Sequence, residues 1–493
     1  MNSFQRKSLY AALAGVGALG ATTAAQAVNV NPGGLGQVLL YPYYTVRTDA
    51  NGSPFNSLLY VVNSTSSIKA VKVRFLEGKN SKEVIDFNLF LSPEDVWTAA
   101  IVPSPVTAGG RLTTSDHSCT LPPISTSQGG AGFVDFVNFA LTDNGGNSLD
   151  RTNEGYVEII EMADYFTDST VGVAVTHVSG TPPCTSSVLT GPLPASEGLI
   201  PGRPGGLFGG ISLVNVPQGT DYSVDAVALD NFTQNKSLYN DPGSIQPDLT
   251  QVNPAVSQVL AQGNVYTSTW GILGSGTFSV DAVSAVLMHN QVMNQFVLDT
   301  VTTSGTDWVV TFPTKHFPAY INVGTGNAPR LFQRNFVNST GGACDDVQLN
   351  LFDREEFHIN TLTFSPPPPS LVNALCWEAN VITFNNTNVL SSKDLNSITT
   401  SFQNGWLNIG FFPAPVGDSA AAPPVHQLIN VTNTTIQPVI GAPTLNASAT
   451  YTGLPLIGFE AESYTNGTLV VNGVTVESIY SGTFVHKTTT LVQ

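Results

Sequence analysis

The segment Val71-Lys72-Val73-Arg74-Phe75 alternates strictly between apolar and charged residues. A period of two is typical of a β-strand with one buried face, because successive side chains point to opposite sides of the sheet. Similar stretches rich in Val, Ile and Phe recur at residues 85–91, 133–139, 156–162 and 171–178. We therefore predict that short strands of this kind build most of the chain.

Clusters of Gly, Asn, Asp and Pro separate the predicted strands, at residues 49–54, 78–81 and 143–148. Strands that alternate with such turns indicate packed sheets. The amphipathic helices that a parallel α/β fold needs are missing from the sequence. The predicted fold class is all-β, with two or three disulfide-stabilised β-sandwich domains and few short helices.

One short helix is predicted over residues 255–262. Asn253 is a suitable N-cap, Pro254 fits the first turn, and Gly263 is a typical C-terminal stop. It is one of few helical signals in the chain.

The length of 493 residues suggests about three domains, at roughly 150 residues for each. Stretches rich in Pro and Gly mark the candidate boundaries, and prolines occupy positions 366–369. The predicted organisation is a signal peptide at 1–27, an N-terminal β-sandwich at 28–185, a Pro/Gly-rich linker at 186–205, a second β domain at 206–365, and a third β domain, or a continuation of the second, at 366–493.

The N-terminus has the three parts of a secretory signal. Arg6 and Lys7 supply the positive charge, residues 9–20 form a short apolar stretch, and Ala25-Gln26-Ala27 is a small-x-small cleavage site. We predict that the mature chain starts at Val28 and has no transmembrane span. The predicted location is extracellular or on the outer cell surface, with the periplasm as the alternative.

Four cysteines follow the predicted cleavage site: Cys119, Cys184, Cys344 and Cys376. An even number of cysteines in an exported chain indicates disulfides. Three pairings are possible. We favour Cys119–Cys184 with Cys344–Cys376, because each cysteine is then bonded to one that lies near it in the sequence.

The composition excludes some classes of partner. Charged residues make up 11% of the chain, and 35 Asp and Glu outnumber 18 Lys and Arg. A basic nucleic-acid binder is excluded, because the chain has no surplus of cations to neutralise phosphates. The hydrophobic share of 42% is enough for a large core.

Catalytic motifs are weak. The sequence has no G-x-S-x-G elbow and no H-E-x-x-H motif. Glu154, Glu158, Glu161 and Asp164 cluster on one predicted strand, where Glu154 and Glu158 lie about 13 Å apart at roughly 3.3 Å per residue. Glycoside hydrolysis uses carboxyl separations of about 5–9.5 Å, so we predict a solvated strand face instead.

The densest run of charges is Asp353-Arg354-Glu355-Glu356-Phe357-His358. A self-paired surface loop is the predicted structure of this run, and catalysis or metal binding is the alternative.

Calcium is the most plausible ion, since it prefers hard oxygen ligands. Asp143, Asn144, Asn147 and Asp150 offer such ligands in a loop that contains glycine, and Asp345-Asp346 is a second acidic pair. Ordinary Asx turns are the alternative structure for these residues. No other cofactor is predicted.

Aromatic residues allow two interpretations. Tyr41, Tyr43 and Tyr44 could form an exposed strip that stacks on sugars, or they could pack in the core. The five tryptophans are distributed one to each strand-rich segment, which favours core packing.

Several segments resemble a family of exported, β-rich proteins of Gram-negative bacteria to which no activity is assigned. The resemblance covers nearly the whole mature chain and rests on VLLYPYYT (38–45), VKVRFLEGKNS (71–81), LSPEDVWTA (91–99) and TDWVVTFPTK (306–315). It implies export but no catalytic residues.

The predicted function is therefore that of a non-enzymatic, exported structural or adhesion protein, which acts by self-association or surface contact. Exposed β edges would be the chemical means, because their free N–H and C=O groups accept another strand. The predicted partners are the protein itself or surface glycans. A secreted carbohydrate- or calcium-binding module and a hydrolase on a β scaffold remain the alternatives.

Overall fold

The computed structural model describes residues 26–143, 145–202, 205–272, 278–317, 331–332, 342–359, 362–365, 373–411, 426–438, 441–471 and 473–493. Most of the predicted signal peptide lies outside these residues, as do Asn144 and the prolines at 366–369. The fold is all-β, as predicted, with short helices only.

The strands up to residue 230 come first in chain order. They are β1 (Asn29–Val30), β2 (Val38–Thr45), β3 (Asn56–Asn63), β4 (Ile68–Glu77), β5 (Glu83–Leu91), β6 (Val96–Pro103), β7 (Gly110–Thr113), β8 (Cys119–Leu121), β9 (Phe133–Asp135), β10 (Glu154–Tyr165), β11 (Leu207–Asn215), β12 (Thr220–Asp225) and β13 (Val227–Asp230).

The later strands follow. They are β14 (Val256–Ala261), β15 (Asn264–Thr269), β16 (Met288–His289), β17 (Gln291–Val297), β18 (Gly305–Thr311), β19 (Asp345–Asp346), β20 (Gln348–Asp353), β21 (His358–Ile359), β22 (Phe364–Ser365), β23 (Ala374–Leu375), β24 (Ala379–Phe384), β25 (Leu395–Ile398), β26 (Asn404–Gly410), β27 (Gln427–Pro438), β28 (Thr444–Thr452), β29 (Leu454–Pro455), β30 (Ile457–Val471), β31 (Val474–Val485), β32 (Lys487–Thr489) and β33 (Leu491–Val492).

The described helices are short. They are α1 (Thr170–Val175), α2 (Ser186–Leu189), α3 (Leu193–Ser196) and α4 (Asp281–Leu287), with single 3₁₀ turns at Thr126–Gln128, Leu149–Asn153 and Leu249–Gln251. Within the described ranges, no helix has the length and apolarity needed to cross a membrane.

The first strands form a sandwich of two sheets. Sheet 1 has the order β1-β13-β2-β10-β4-β5-β8 and sheet 2 the order β12-β11-β3-β6-β7-β9. Their inner faces share one apolar cluster, which includes Leu39, Val73 and Trp97. Strand pairing crosses the segment predicted as a linker, because β11 on its far side pairs with β3. The first sandwich therefore takes in the strands up to β13.

The later strands form three larger sheets. Sheet 3 has the order β14-β15-β27-β28-β33, sheet 4 the order β21-β20-β26-β17-β32, and sheet 5 the order β22-β25-β24-β18-β30-β31. Two further pairs, β16-β29 and β19-β23, stand beside them. All pairings are antiparallel apart from that of β24 with β25, which is parallel.

Sheet 5 is a central layer with both faces covered. Trp308 and Val310 belong to the apolar cluster of the later strands, whereas Val309 belongs to the cluster of the first sandwich. The Thr311 hydroxyl donates to the Pro42 carbonyl at 2.6 Å, so β18 is also bonded to β2. A strand that is buried on both faces has a nearly continuous apolar sequence, which explains the run of apolar residues in β18.

The predicted helix at 255–262 is wrong, because these residues form β14 and its turn. Gln262 and Gly263 have φ values of 50° and 75° and join β14 to β15. Two central residues with positive φ are the signature of a type I′ hairpin turn. The glycine that we interpreted as a helix stop is therefore a hairpin residue.

The predicted strand at 171–178 is also wrong, since its first residues form helix α1. The Ser169 hydroxyl accepts a hydrogen bond from the Gly172 amide and caps the helix. Val171 and Val175 pack against the cluster around Cys119. Packing and capping here outweigh the β propensity of a Val-rich segment.

Both predicted disulfides are confirmed. Cys119 is bonded to Cys184, and Cys344 is bonded to Cys376. The first bond ties β8 to the segment that follows α1, and the second ties the segment before β19 to the one after β23.

Replacing Cys119 and Cys184 together by Ser should lower the free energy of unfolding by about 4 kcal/mol in the chain-entropy model. The reason is that the bond closes a loop with a sequence separation of 65 residues, which restricts the unfolded chain. Urea unfolding at neutral pH measures the loss. An unchanged midpoint would contradict the prediction.

Candidate functional site

The row of acids on β10 is the first candidate, and the prediction that it forms a solvated face is wrong. Glu154, Glu158, Glu161 and Asp164 are all buried. The chain that follows β13 covers the face of sheet 1 that carries Lys72 and Asn88. The Lys72 ammonium donates to the carbonyl of Asp241, and the amide of Asn88 donates to the next carbonyl upstream, that of residue 240.

The buried acids are paired with cations from neighbouring strands. On β4, the Arg74 guanidinium donates to Glu158 at 2.7 Å and to Glu83 at 3.0 Å. The Lys69 ammonium lies 3.2 Å from Glu161 and 2.8 Å from Asp164. We call these cross-strand pairs the ion-pair ladder.

The ladder is unsuited to acid–base catalysis, although one member has a shifted pKa. Burial raises the pKa of Glu158 to about 7, against the opposing charge of Arg74. The Glu158 side chain is fully buried, so substrate has no access to it. The ladder therefore holds strands together.

The Glu154 carboxylate connects the first sandwich to the segment that follows β24. Its carboxylate accepts hydrogen bonds from Arg47 at 2.7 Å, from the Tyr43 hydroxyl at 2.8 Å and from the Lys393 amide at 3.1 Å. The Ser392 hydroxyl is a further donor. Residues of the first sandwich and residues that follow β24 in the chain therefore meet at one buried carboxylate.

Replacing Arg74 by Met should destabilise the protein by about 3–5 kcal/mol, because it leaves the carboxylates of Glu158 and Glu83 buried without their cation. Adding Glu158→Gln should recover part of the loss. Arg111→Met is the matched control, because Arg111 pairs with the partly exposed Asp135, and it should destabilise the protein much less than Arg74→Met does. Urea unfolding measures all three, and equal losses for the two arginines would contradict a role for burial.

Arginine and lysine side chains bind the two acids of the predicted calcium loop. Arg151 donates to both oxygens of Asp143, at 2.6 and 2.8 Å, and holds the pKa of that carboxyl below its usual range although burial opposes this. Asp150 lies 2.8 Å from Arg47 and 2.8 Å from Lys393.

The other predicted calcium ligands are hydrogen-bonded or ion-paired to other residues, or lie outside the described residues. The Asn147 carbonyl accepts a hydrogen bond from Asn138 at 2.7 Å, and Asn144 is outside the described residues. In the second acidic pair, Asp345 forms a buried ion pair with Lys315 at 2.9 Å. The described residues contain no cluster of three His, Cys, Asp or Glu that could hold a metal ion. Calcium binding stays a prediction.

The charged run at 353–358 is an exposed loop. Arg354 and Glu355 pair with each other at 3.3 Å, and both side chains are exposed. The Asp353 carboxylate accepts hydrogen bonds from the amides of Glu355 and Phe357, at 2.8 Å each. This is the self-paired loop that we predicted.

The tyrosines of β2 do not form an exposed strip, because Tyr41, Tyr43 and Tyr44 are buried in the core. Of the tryptophans, Trp406 is the most accessible, with 39% of its surface exposed. Its ring stacks on Phe352 at 4.3 Å and 9°, and Phe352 stacks on His358 at 4.4 Å and 7°. The three rings therefore form a stack across the neighbouring strands β26, β20 and β21.

A buried pair of carboxyls lies on β30 and was missed in the sequence. Glu460 and Glu462 point to the same side of the strand, and both are buried. Glu462 accepts hydrogen bonds from Gln295 at 2.9 Å and from Tyr464 at 2.5 Å, whereas no described donor reaches Glu460. Burial and the charge of Glu462 raise the pKa of Glu460 to about 10, so Glu460 is protonated at neutral pH.

Replacing Glu460 by Gln should make the free energy of unfolding depend less on pH between neutral and alkaline conditions. The pKa of Glu460 is higher in the folded state than in the unfolded chain, so the parent loses stability as pH rises from about 5 to about 10. The stability of the variant relative to the parent should therefore increase with pH, by at most about 1.4 kcal/mol per pH unit.

Urea unfolding of the parent and the variant at acidic, neutral and alkaline pH measures this difference. Glu355→Gln changes an exposed carboxyl and serves as the control, with no expected change. A difference in stability between Glu460→Gln and the parent that stays constant across pH would contradict the raised pKa of Glu460.

The long hairpin of β30 and β31 extends beyond the body of sheet 5. Only the first part of β30, from Ile457 to Ser463, pairs with β18. Beyond Thr465 its one described strand partner is β31, with Thr468 opposite Glu477 and Val471 opposite Val474. We call residues 465–479 the hairpin tip.

The sequence of the hairpin tip contains a turn signal that was missing from our strand prediction. Asn472-Gly473 is a dipeptide that strongly favours two-residue hairpin turns, and β-branched residues flank it on both sides. Val470 lies within the tip and has 71% of its surface exposed.

Several other strand edges are short or partly covered. The edge strands β1, β8, β9, β21, β22, β32 and β33 have two or three residues each. The edges of β12 and β31 meet, where the Ser481 hydroxyl bonds the backbone of Asp221 at 2.9 Å and Thr483 bonds the carbonyl of Ser223 at 2.6 Å. Val28 covers the first residues of β14 through backbone hydrogen bonds with Val256 and Gln258. Within the described part of the chain, residues 444–449 of β28 are open on the side away from β27.

Comparison with known proteins finds no matching family model, no matching curated protein and no matching solved structure. The resemblance to exported proteins of Gram-negative bacteria therefore stays a prediction.

Proposed function

We propose that the chain is a non-enzymatic exported protein that acts by self-association, through strand addition at the hairpin tip. The single observation that carries this proposal is the edge of β30 beyond Thr465, which has no strand partner besides β31 among the described residues. The backbone N–H and C=O groups along such an edge are available to another strand.

The composition of the tip supports an association surface. Residues Thr468 to Val471 are Thr, Leu, Val and Val, a run with high β propensity and without charge. A two-stranded hairpin is only marginally stable in water, so a third strand would stabilise the tip. Among the described edges, the tip combines an open backbone edge with exposed apolar side chains such as Val470, which favours it as the place for strand addition.

The proposed occupant is a second copy of the same chain. Antiparallel pairing of one β30 edge with another is self-complementary, because each copy offers the same surface. Backbone hydrogen bonds would supply the affinity, and the apolar side chains would add buried area. The product is a dimer in which two tips form one four-stranded sheet.

Observations other than the hairpin tip support the proposed export and the proposed non-enzymatic role. The N-terminal residues have the pattern of a secretory signal, and two disulfides suit an oxidising compartment. The acids of β10 that were candidates for hydrolysis are buried and ion-paired. These observations favour a structural protein over the alternative of a hydrolase.

Replacing Val470 by Lys should weaken self-association at least tenfold, because a charge at a free edge opposes strand addition. Light scattering after size exclusion, over a range of protein concentrations, measures the mass of the chain from residue 28 onward. Val106→Lys is the matched control, since Val106 is 74% exposed in a loop outside the tip.

The parent and Val106→Lys should form dimers at the same concentrations, and Val470→Lys should remain a monomer there. A parent that is monomeric at every concentration would overturn the proposal. So would a Val470→Lys variant that associates as well as the parent.

A further inference from the structure

A polar cleft of about 450 Å³ lies between the first sandwich and sheet 5. Four parts of the chain form its walls: the loop after β2, the turn between β11 and β12, the loop after β24, and the base of the hairpin tip. The residues that determine its chemistry are Asp49, Gln218, Tyr222, Asn386, Asn388 and Ser463. The volume is within the range of about 300–1,000 Å³ that is usual for small-molecule sites.

The lining is rich in groups that both donate and accept hydrogen bonds. Hydroxyls of Ser, Thr and Tyr and amides of Asn and Gln form most of it, and the described lining contains no Lys, Arg or His. A phosphate or carboxylate ligand needs cations or several donors. A sugar hydroxyl both donates and accepts, as these side chains do. The lining therefore fits a neutral polyol.

Asp49 is the one carboxylate among the described residues that line the cleft, and hydrogen bonds hold it in place. It accepts from the amides of Asn51 at 2.8 Å and Ser53 at 2.7 Å, and from the side-chain amide of Gln218. These bonds fix the position of Gln218 on the facing wall. A fixed carboxylate is also a strong acceptor for sugar hydroxyls.

The loop after β24 is held in an uncommon conformation. Asn386 and Asn388 both have positive φ, at 57° and 46°. The Asn388 amide donates to Thr383 at 2.9 Å, its side chain donates to Ser392 at 3.1 Å, and the Leu390 amide donates to Asp307 at 2.9 Å. The surrounding structure thus fixes asparagines beside the cleft, and such preorganisation favours binding.

From this geometry we infer that the cleft binds the end of a neutral glycan. The ligand would lie between Gln218 on one wall and Asn386 on the other, with its hydroxyls bonded to both amides. This inference goes beyond self-association and does not depend on it, because the cleft is complete within one chain.

The test uses the chain from residue 28 onward and defined sugars. The neutral probes are cellobiose, maltose, lactose, mannobiose and diacetylchitobiose, and the charged probes are galacturonic acid and glucose 6-phosphate. Thermal unfolding with excess sugar detects binding, because a ligand that binds only the folded state raises the melting temperature. Titration calorimetry then measures the affinity.

Asn386→Gly removes the amide and keeps a residue that accepts positive φ. Asn446→Gly is the matched control, because Asn446 also has positive φ, at 55°, but does not line the cleft. We expect at least one neutral probe to bind, with at least tenfold weaker binding in Asn386→Gly and unchanged binding in Asn446→Gly.

Three results would overturn the inference. In the first, no neutral probe raises the melting temperature. In the second, Asn386→Gly binds the sugar as well as the parent does, which would place the sugar elsewhere. In the third, the charged probes bind and the neutral probes do not, which would contradict the chemistry of the lining.

Discussion

The cost of burying charge governs this structure. Alternation along β4 places Lys72 and Arg74 on one face of sheet 1, and the later chain covers this face. Lys69 is also buried. A buried charge is tolerated only when a partner of opposite charge neutralises it, so each cation must meet an acid across the sheet. The acids of β5 and β10 meet this need. The covering chain can pack against the ladder because its charges are already paired.

The alternation in the sequence was sufficient to predict the strands and the fold class. The two disulfides were also predictable, from the cysteine count and the distances along the chain. The sequence did not reveal what covers the charged face of β4, since residues more than a hundred positions away supply that cover. Local signals also misled at Gly263, because a glycine after an apolar run suits both a helix end and a hairpin turn. At Val171, packing against the Cys119 cluster outweighed β propensity.

The candidate site was harder to predict than the fold. Glu154 and Glu158 attracted attention as possible catalytic acids because the chain has few charges. Their ion pairs show why such acids occur here, since cations on β4 and in the loop after β2 need partners. Two features with few charges, the hairpin tip and the polar cleft, carry the functional proposals. Neither has a catalytic motif, and the cleft becomes apparent only when distant loops come together.

Hydrogen exchange at low and high protein concentration tests strand addition at the edge of β30 most directly. We predict that backbone amides in residues 466–471 exchange more slowly at high concentration, because a second copy then supplies their acceptors. Amides in the ion-pair ladder should exchange at the same rate in both samples. Exchange in residues 466–471 that does not change with concentration would contradict self-association through this edge, as would new protection confined to another part of the chain.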